Sequence, residues 1–168
     1  GHGQLEQKRT MAGPKPFLLL IYNIHEDPAQ MEYWFNRCTA WGIWPSFGNM
    51  KLFDTPEKYA PVAALNDRYV PALRAITGAG WQPVTHVRAP EGVVLERWGP
   101  GEDGALYLTV FSEEATEAAL TIDTAALGLG GEIMLRDLLS GEQFVCAAGR
   151  LQLPLEAQRV RVLQITEG

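Results

Sequence analysis

The sequence predicts an α+β fold in which two βα units are followed by an antiparallel β-sandwich. Three observations lead to this prediction. The apolar run Phe17–Tyr22 has the length of a strand that is buried on both faces, and a helical pattern follows it. A second short apolar stretch, Ile43–Phe47, precedes a second helical pattern. From about residue 85 onward, short segments alternate apolar and polar residues and are separated by turn residues.

The composition is ordinary for a globular protein, with 46% hydrophobic and 20% charged residues among 168. Because the formal net charge is −6 and the basic residues are scattered, we expect no nucleic-acid partner. No apolar run is long enough to span a bilayer, so no membrane partner is expected. No metal-ligand spacing or phosphate-binding loop is found, so neither a metal nor a cofactor is expected. Cys38 and Cys146 are interpreted as buried free thiols, with a disulfide between them left open.

The first βα unit follows a polar segment, residues 1–13, which is interpreted as a lead-in or an expression remnant. After the strand, Asp27 and Pro28 have the residue types of a helix start, and a helix is expected from about Ala29 to Ala40. Gly42 is expected to end it.

The second helical pattern starts at Thr55–Pro56–Glu57 and ends at Gly78 and Gly80. Its two internal prolines lack a backbone N–H. We therefore expect a break near Pro61 and a kink near Pro71.

The second half, residues 85–168, is predicted to be the sandwich domain. Leu106, Leu108 and Val110 alternate with more polar or aromatic residues, as in half-buried strands. Pro154 cannot donate to a strand ladder, which places its strand at a sheet edge. The predicted strands are Thr85–Arg88, Val93–Trp98, Ala105–Phe111, Ala118–Asp123, Ile133–Leu138, Gln143–Ala147, Arg150–Leu155 and Arg159–Ile165.

Six phrases of the sequence carry a resemblance through their order along the chain. They are Pro16–Asn23, Trp41–Phe47, Ala79–Thr85, Val94–Gly99, Leu120–Asp123 and Asp137–Glu142. Together they resemble the C-terminal region of barrel-type glycoside hydrolases. The resemblance implies that residues 14–84 are the last two units of a (β/α)8 barrel and that residues 85–168 are its C-terminal β-sandwich domain. The first six barrel units do not occur in this sequence.

The resemblance of residues 14–84 to the end of a barrel implies candidate substrate-binding residues. Asn23, His25 and Glu26 come after the first strand, at the strand end where barrel active sites form. Trp44 lies on the second strand, and its ring could stack on a sugar. Hydrolysis of a glycoside usually needs two carboxyl groups. Since Asp27 is explained as a helix cap and Glu26 as its favourable neighbour, no catalytic residue is assigned.

Two functions from different classes remain open. The first is a C-terminal fragment of a glycoside hydrolase that is inactive alone, and the second is a non-catalytic carbohydrate-binding or structural β-sandwich module. Whether the chain is an enzyme therefore stays undecided. The expected partners are carbohydrate and either the missing N-terminal barrel portion or a second copy of the chain. An enzyme fragment would expose apolar barrel surface around Phe17–Tyr22, whereas a self-sufficient module would not.

Overall fold

The structure is a computed structural model, and it describes residues 2–21, 27–48 and 50–167. These residues form three α-helices, one 3-10 helix and eleven strands. In chain order the elements are α1 (His2–Ala12), β1 (Phe17–Ile21), α2 (Pro28–Ala40), β2 (Ile43–Phe47), the 3-10 helix (Met50–Phe53), α3 (Pro56–Ala79), β3 (Trp81–Gln82), β4 (Val87–Arg88), β5 (Val93–Trp98), β6 (Leu106–Ser112), β7 (Thr116–Ile122), β8 (Ile133–Asp137), β9 (Gln143–Cys146), β10 (Arg150–Leu155) and β11 (Val160–Glu167).

Strands β1 and β2 form a parallel two-stranded sheet in which Phe17 pairs with Ile43 and Ile21 with Phe47. One face of β1 packs on the helices, and Ile21 is buried there. Leu18 and Leu20 lie on the other face and are 58% and 41% exposed. The expectation that this apolar run is buried on both faces is therefore wrong within the described chain. A parallel strand reaches that state only when a neighbour covers its second face.

The helices begin where their capping residues predict. The Asp27 carboxylate accepts a hydrogen bond from the Ala29 N–H at 3.0 Å, and the Thr55 hydroxyl accepts one from the Lys58 N–H at 3.4 Å. Helix α3 is continuous across Pro61, so the predicted break there is wrong. The buried side chains of α3 pack on the core. The free energy gained by this burial exceeds the cost of the backbone hydrogen bonds that the two prolines cannot donate. The kink at Pro71 stays a prediction. None of the described helices combines the length and the apolar character needed to cross a bilayer.

The second half forms two packed antiparallel sheets, as predicted. A six-stranded sheet has the order β3-β5-β6-β11-β8-β9, and a three-stranded sheet has the order β10-β7-β4. The eight predicted strands are all present. Two have the predicted bounds, and the ends of the others differ by one or two residues, while β3 was not predicted. Strand β10 lies at a sheet edge, which confirms the inference drawn from Pro154.

The six-stranded sheet is covered on both faces. Leu106, Leu108 and Val110 point into the core between the two sheets. Tyr107 and Phe111, on the opposite face of β6, pack with α2 and α3 in a second core. Every residue of β6 is consequently buried, rather than every second one. This second core joins the two halves of the chain, and the division at residue 84 stays a prediction.

Both cysteines are free and buried, as interpreted from the sequence. Burial is the main cause that raises the pKa of the Cys38 thiol to about 12, so this thiol stays protonated at neutral pH.

Helix α1 is part of the folded core through Arg9, whose side chain is 1% exposed. The Arg9 guanidinium donates to the carbonyl oxygens of Trp41 at 2.8 Å and Gly42 at 2.7 Å. It also donates to those of Gly13 at 2.9 Å and Lys15 at 3.1 Å. These carbonyls lie in the turns that precede β2 and β1. Arg9 thus ties together the two segments that enter the parallel strands.

Glu96 is a partly buried carboxyl near Arg9, and it accepts a hydrogen bond from the Trp81 indole N–H at 2.6 Å. Burial raises the pKa of Glu96 to about 6, against the opposing effects of Trp81 and the Arg9 charge; Glu6 adds to the rise. A carboxyl whose pKa is higher in the folded state favours folding when protonated. The stabilisation that protonated Glu96 gives the folded state is fully present below about pH 4.5, and it is lost as the pH rises through 6.

We therefore expect the stability of the Glu96→Gln variant to fall less than that of the native chain between pH 4.5 and 7. The difference should be about 1–2 kcal/mol, because one pKa unit corresponds to about 1.4 kcal/mol. Urea unfolding at several pH values measures it. Glu91→Gln, which changes an exposed carboxyl, serves as the control. Parallel pH profiles for the native chain and Glu96→Gln would contradict this assignment.

Leu153 and Gln152 test the register of β10. Leu153 is fully buried between the sheets, and Gln152 is exposed on the outer face. Truncating a buried leucine costs about 2–5 kcal/mol, whereas exposed positions usually change stability by less than about 0.5 kcal/mol. Leu153→Ala should therefore lower the free energy of unfolding strongly and Gln152→Ala should not. Denaturant titration of both variants measures this, and equal effects would refute the register.

Candidate functional site

The C-terminal ends of β1 and β2 lie side by side. The Gly48 N–H, just after β2, donates to the carbonyl oxygen of Ile21, the last residue of β1, at 3.0 Å. Because the strands are parallel, the segments that follow them emerge at the same edge of the sheet. Helix α2 begins at this edge after β1, and the 3-10 helix and the start of α3 follow β2. This edge is where the sequence places the candidate site.

Of the four predicted substrate-binding residues, the structure describes Trp44 alone. Asn23, His25 and Glu26 lie outside the described residues. Trp44 pairs with Leu18 across the two strands, so both side chains start from the same face of the sheet. Trp44 is half-buried and packs against the core cluster. It is the second residue of β2, so it lies towards the start of that strand rather than at its C-terminal end. Its role in binding a substrate stays a prediction.

Asp27 has a structural role at the start of α2, where its carboxylate bonds the Ala29 N–H. That geometry agrees with its interpretation as a cap. Trp41, which precedes β2, is 5% exposed and belongs to the core. Over the described ranges, no cluster of three or more His, Cys, Asp or Glu side chains could hold a metal ion.

Sequence reasoning missed an aromatic pair at the same edge. Phe53 and Tyr59 have ring centroids 5.4 Å apart and an interplanar angle of 33°. The two residues are 57% and 37% exposed. Tyr59 shares the helical spacing of Val62, Tyr69 and Leu73, which are buried, yet Tyr59 itself is exposed to solvent. One feature of the sequence could have indicated the pair. Phe53 comes just before the Thr55 cap and Tyr59 just after it, so both lie close to the start of α3.

A charged cavity of about 220 Å³ lies between the helices and the sandwich. On one wall, the lining residues Arg68 and Arg159 both donate to the Glu32 carboxylate. On the other wall, Arg161 donates to Asp137 at 3.0 Å and to Glu142. The hydrogen bond from Arg161 lowers the pKa of the Glu142 carboxyl.

These pairings bridge the two halves of the chain. Arg68 of α3 and Arg159 of the second half share the Glu32 carboxylate of α2, whereas Arg161 bonds both Asp137 and Glu142. The Val160 N–H adds a bond to the Asn36 side-chain oxygen at 2.9 Å, which joins β11 to α2. The arrangement orders the junction. Within the lining, the Ser140 hydroxyl lies in hydrogen-bond distance of the Asp137 carboxylate, at 3.0 Å, and of the Glu142 carboxylate, at 3.1 Å.

The sequence matches no protein-family model and no curated protein sequence. The fold, however, is similar to parts of solved glycoside hydrolases. An α-amylase from Geobacillus thermoleovorans superimposes with a TM-score of 0.61 at 13% identity, over 98% of this chain and 42% of the amylase. A noncanonic maltogenic α-amylase from Thermotoga neapolitana gives 0.57 at 11% identity, over 97% of this chain and 45% of that one.

A third similar structure is the GH27 β-L-arabinopyranosidase from Geobacillus stearothermophilus. It gives a TM-score of 0.55 at 14% identity, over 87% of this chain and 31% of that enzyme. The chain thus spans less than half the length of each of these three proteins. The fold of this chain is therefore that of part of a barrel-type glycoside hydrolase, as the six sequence phrases implied.

Proposed function

We propose that this chain is the C-terminal part of a carbohydrate-active enzyme of the glycoside hydrolase type and that it is inactive on its own. The observation that carries the proposal is the β1–β2 pair. It is a two-stranded parallel sheet with Leu18 and Leu20 exposed on one face, in a chain whose fold otherwise matches glycoside hydrolases over 87–98% of its length. In a closed barrel each strand has two neighbours, and inward side chains fill the interior.

Carbohydrate as the ligand class is supported by the matched enzymes. The α-amylase was solved with acarbose, and a variant of the arabinopyranosidase was solved with arabinose. We propose that Asn23, His25 and Glu26, which follow β1 in the sequence, and Trp44, on β2, contribute to substrate binding. In this proposal the catalytic carboxyl groups belong to upstream barrel units, because Asp27 is engaged as a helix cap.

The partner that we propose for the exposed leucine face is the N-terminal barrel portion. Further parallel strands would extend the sheet at its open edges and bury Leu18 and Leu20. A second copy of this chain is the alternative occupant. Sedimentation equilibrium separates the two, since a dimer that dissociates on Leu18→Lys substitution favours the second copy.

Activity measurements test the proposed function. This chain and a longer one that adds six upstream βα units are assayed on a panel of chromogenic aryl glycosides. We expect turnover from the longer chain alone. Turnover by the 168-residue chain that disappears on Glu26→Gln or Asp27→Asn would contradict its inactivity. If the longer chain binds polysaccharide without turnover, the non-catalytic binding module is the better description.

A further inference from the structure

We propose that Phe53 and Tyr59 form an aromatic platform that binds the apolar face of a neutral sugar ring. This inference rests on the proposed function for its ligand class, and it adds a binding subsite to the four residues named from the sequence.

The first argument is exposure. Neither ring belongs to either buried core, although both residues are large and apolar enough to be buried. The rings contact each other at a centroid distance of 5.4 Å and an angle of 33°, so together they present one continuous apolar surface. Among the large hydrophobic residues that the structure describes as exposed, these two are the only aromatic ones, and they are adjacent. Single exposed apolar residues need no explanation, whereas these two exposed rings are in contact with each other, and the proposal starts from that contact.

The second argument is position. Phe53 is the last residue of the 3-10 helix that follows β2, and Tyr59 lies in the first turn of α3. Between them, Asp54 and Thr55 form the turn and the cap, and the Asp54 N–H donates to the Lys51 carbonyl oxygen at 3.3 Å. The platform is therefore built on two helix ends rather than on an irregular loop. Both ends follow the C-terminal end of β2 in the chain.

The third argument is the charge around the rings. The charged residues that flank them in the sequence are Lys51, Asp54, Glu57 and Lys58, and their formal charges sum to zero. A sugar ring combines an apolar C–H face with a perimeter of hydroxyl groups. The rings would cover that face, and the flanking polar groups could bond the hydroxyls.

The same surroundings disfavour other ligands that stack on aromatic rings. A nucleic-acid base brings phosphates, which require a basic surface that this chain of net charge −6 does not provide. A purely apolar partner would desolvate the flanking charged groups without giving them hydrogen bonds. A neutral carbohydrate meets neither difficulty.

Affinity electrophoresis of the 168-residue chain tests the platform. Native gels contain soluble starch, galactomannan, arabinoxylan or mixed-linkage β-glucan. We expect at least one of these neutral polysaccharides to retard the chain, and Phe53→Ala and Tyr59→Ala each to weaken the dissociation constant about tenfold. Tyr59→Phe, which keeps the ring, should bind nearly as the native chain does. Val145→Ala, which alters an exposed apolar residue on β9, is the matched control and should leave binding unchanged.

Thermal unfolding of each variant accompanies the gels, and because both rings are exposed we expect unchanged melting temperatures. Absence of retardation by all four polysaccharides overturns the platform, as does equal retardation of the native chain, Phe53→Ala and Tyr59→Ala. Loss of binding in Val145→Ala as well would also overturn it. The proposed function can still stand in each case, because turnover by the longer chain is measured independently. Binding that depends on the rings, without turnover by the longer chain, would keep the platform and reject the enzyme.

Discussion

Replacing Arg9 by methionine should lower the free energy of unfolding by about 3–5 kcal/mol. The guanidinium satisfies four backbone carbonyls, and its bonds to Trp41 and Gly42 are buried. Methionine fills similar space without donors, so at least two buried carbonyl oxygens lose their partners, and each such loss costs about 1–3 kcal/mol. The contact between the guanidinium and the Trp98 ring, 5.4 Å to its centroid, is lost as well. Urea unfolding followed by circular dichroism measures the change.

Gln7→Met on the same helix is the matched control for Arg9→Met. Gln7 is exposed, so its substitution should alter stability by less than about 0.5 kcal/mol. If both variants unfold at the native denaturant concentration, α1 does not contribute to stability and the role given to Arg9 is refuted.

Gly42→Ala should also cost about 3–5 kcal/mol, for two separable reasons. Gly42 has φ of +57°, where a residue with a Cβ pays about 1–2 kcal/mol. An added Cβ would lie 2.0 Å from Cη2 of Trp98, a ring that is 1% exposed and bonds Thr109 through its indole N–H. Overpacking of this kind typically costs about 1–3 kcal/mol, and so close a contact places it at the upper end.

Gly13→Ala separates the two causes. Gly13 has φ of +59°, but an added Cβ there would meet nothing within 4 Å. It should therefore show the backbone cost alone, and the difference between the two alanine variants reports the contact with Trp98. The free energies of unfolding of both variants are compared under the same conditions. Equal losses would mean that the turn before β2 moves away from Trp98 without cost.

These two residues act on the same part of the molecule. Gly42 immediately precedes β2. Arg9 bonds the carbonyl oxygen of Gly42, and the Trp98 ring, which Arg9 also contacts, lies close to the Gly42 Cα. Trp98 belongs to β5 of the sandwich, so this contact sets β2 against the second half of the chain. The position of Trp44, two residues further on, depends on it. Loss of either contact should therefore disturb the placement of Trp44 as well as the stability.

The sequence alone determined the order and type of most elements, because their signals are local. The Asp27 and Thr55 caps fix the helix starts through bonds to residues two or three positions away. Period-2 alternation fixed which residues of β7 and β10 point inward, since successive side chains of a strand lie on opposite faces. The order of the six sequence phrases indicated the fold that this chain shares with parts of solved glycoside hydrolases.

Only the tertiary structure decided which faces are covered, because coverage depends on residues that are distant in the sequence. Tyr107 and Phe111 are buried because α2 and α3 pack on the second face of the six-stranded sheet. Arg9, a charged residue in a polar segment, is buried because carbonyls 32 and 33 positions away accept its hydrogen bonds. Tyr59 has the spacing of a core residue but faces solvent beside Phe53, because the core ends before the first turn of α3. Periodicity records which residues share a face, and only packing determines what that face meets.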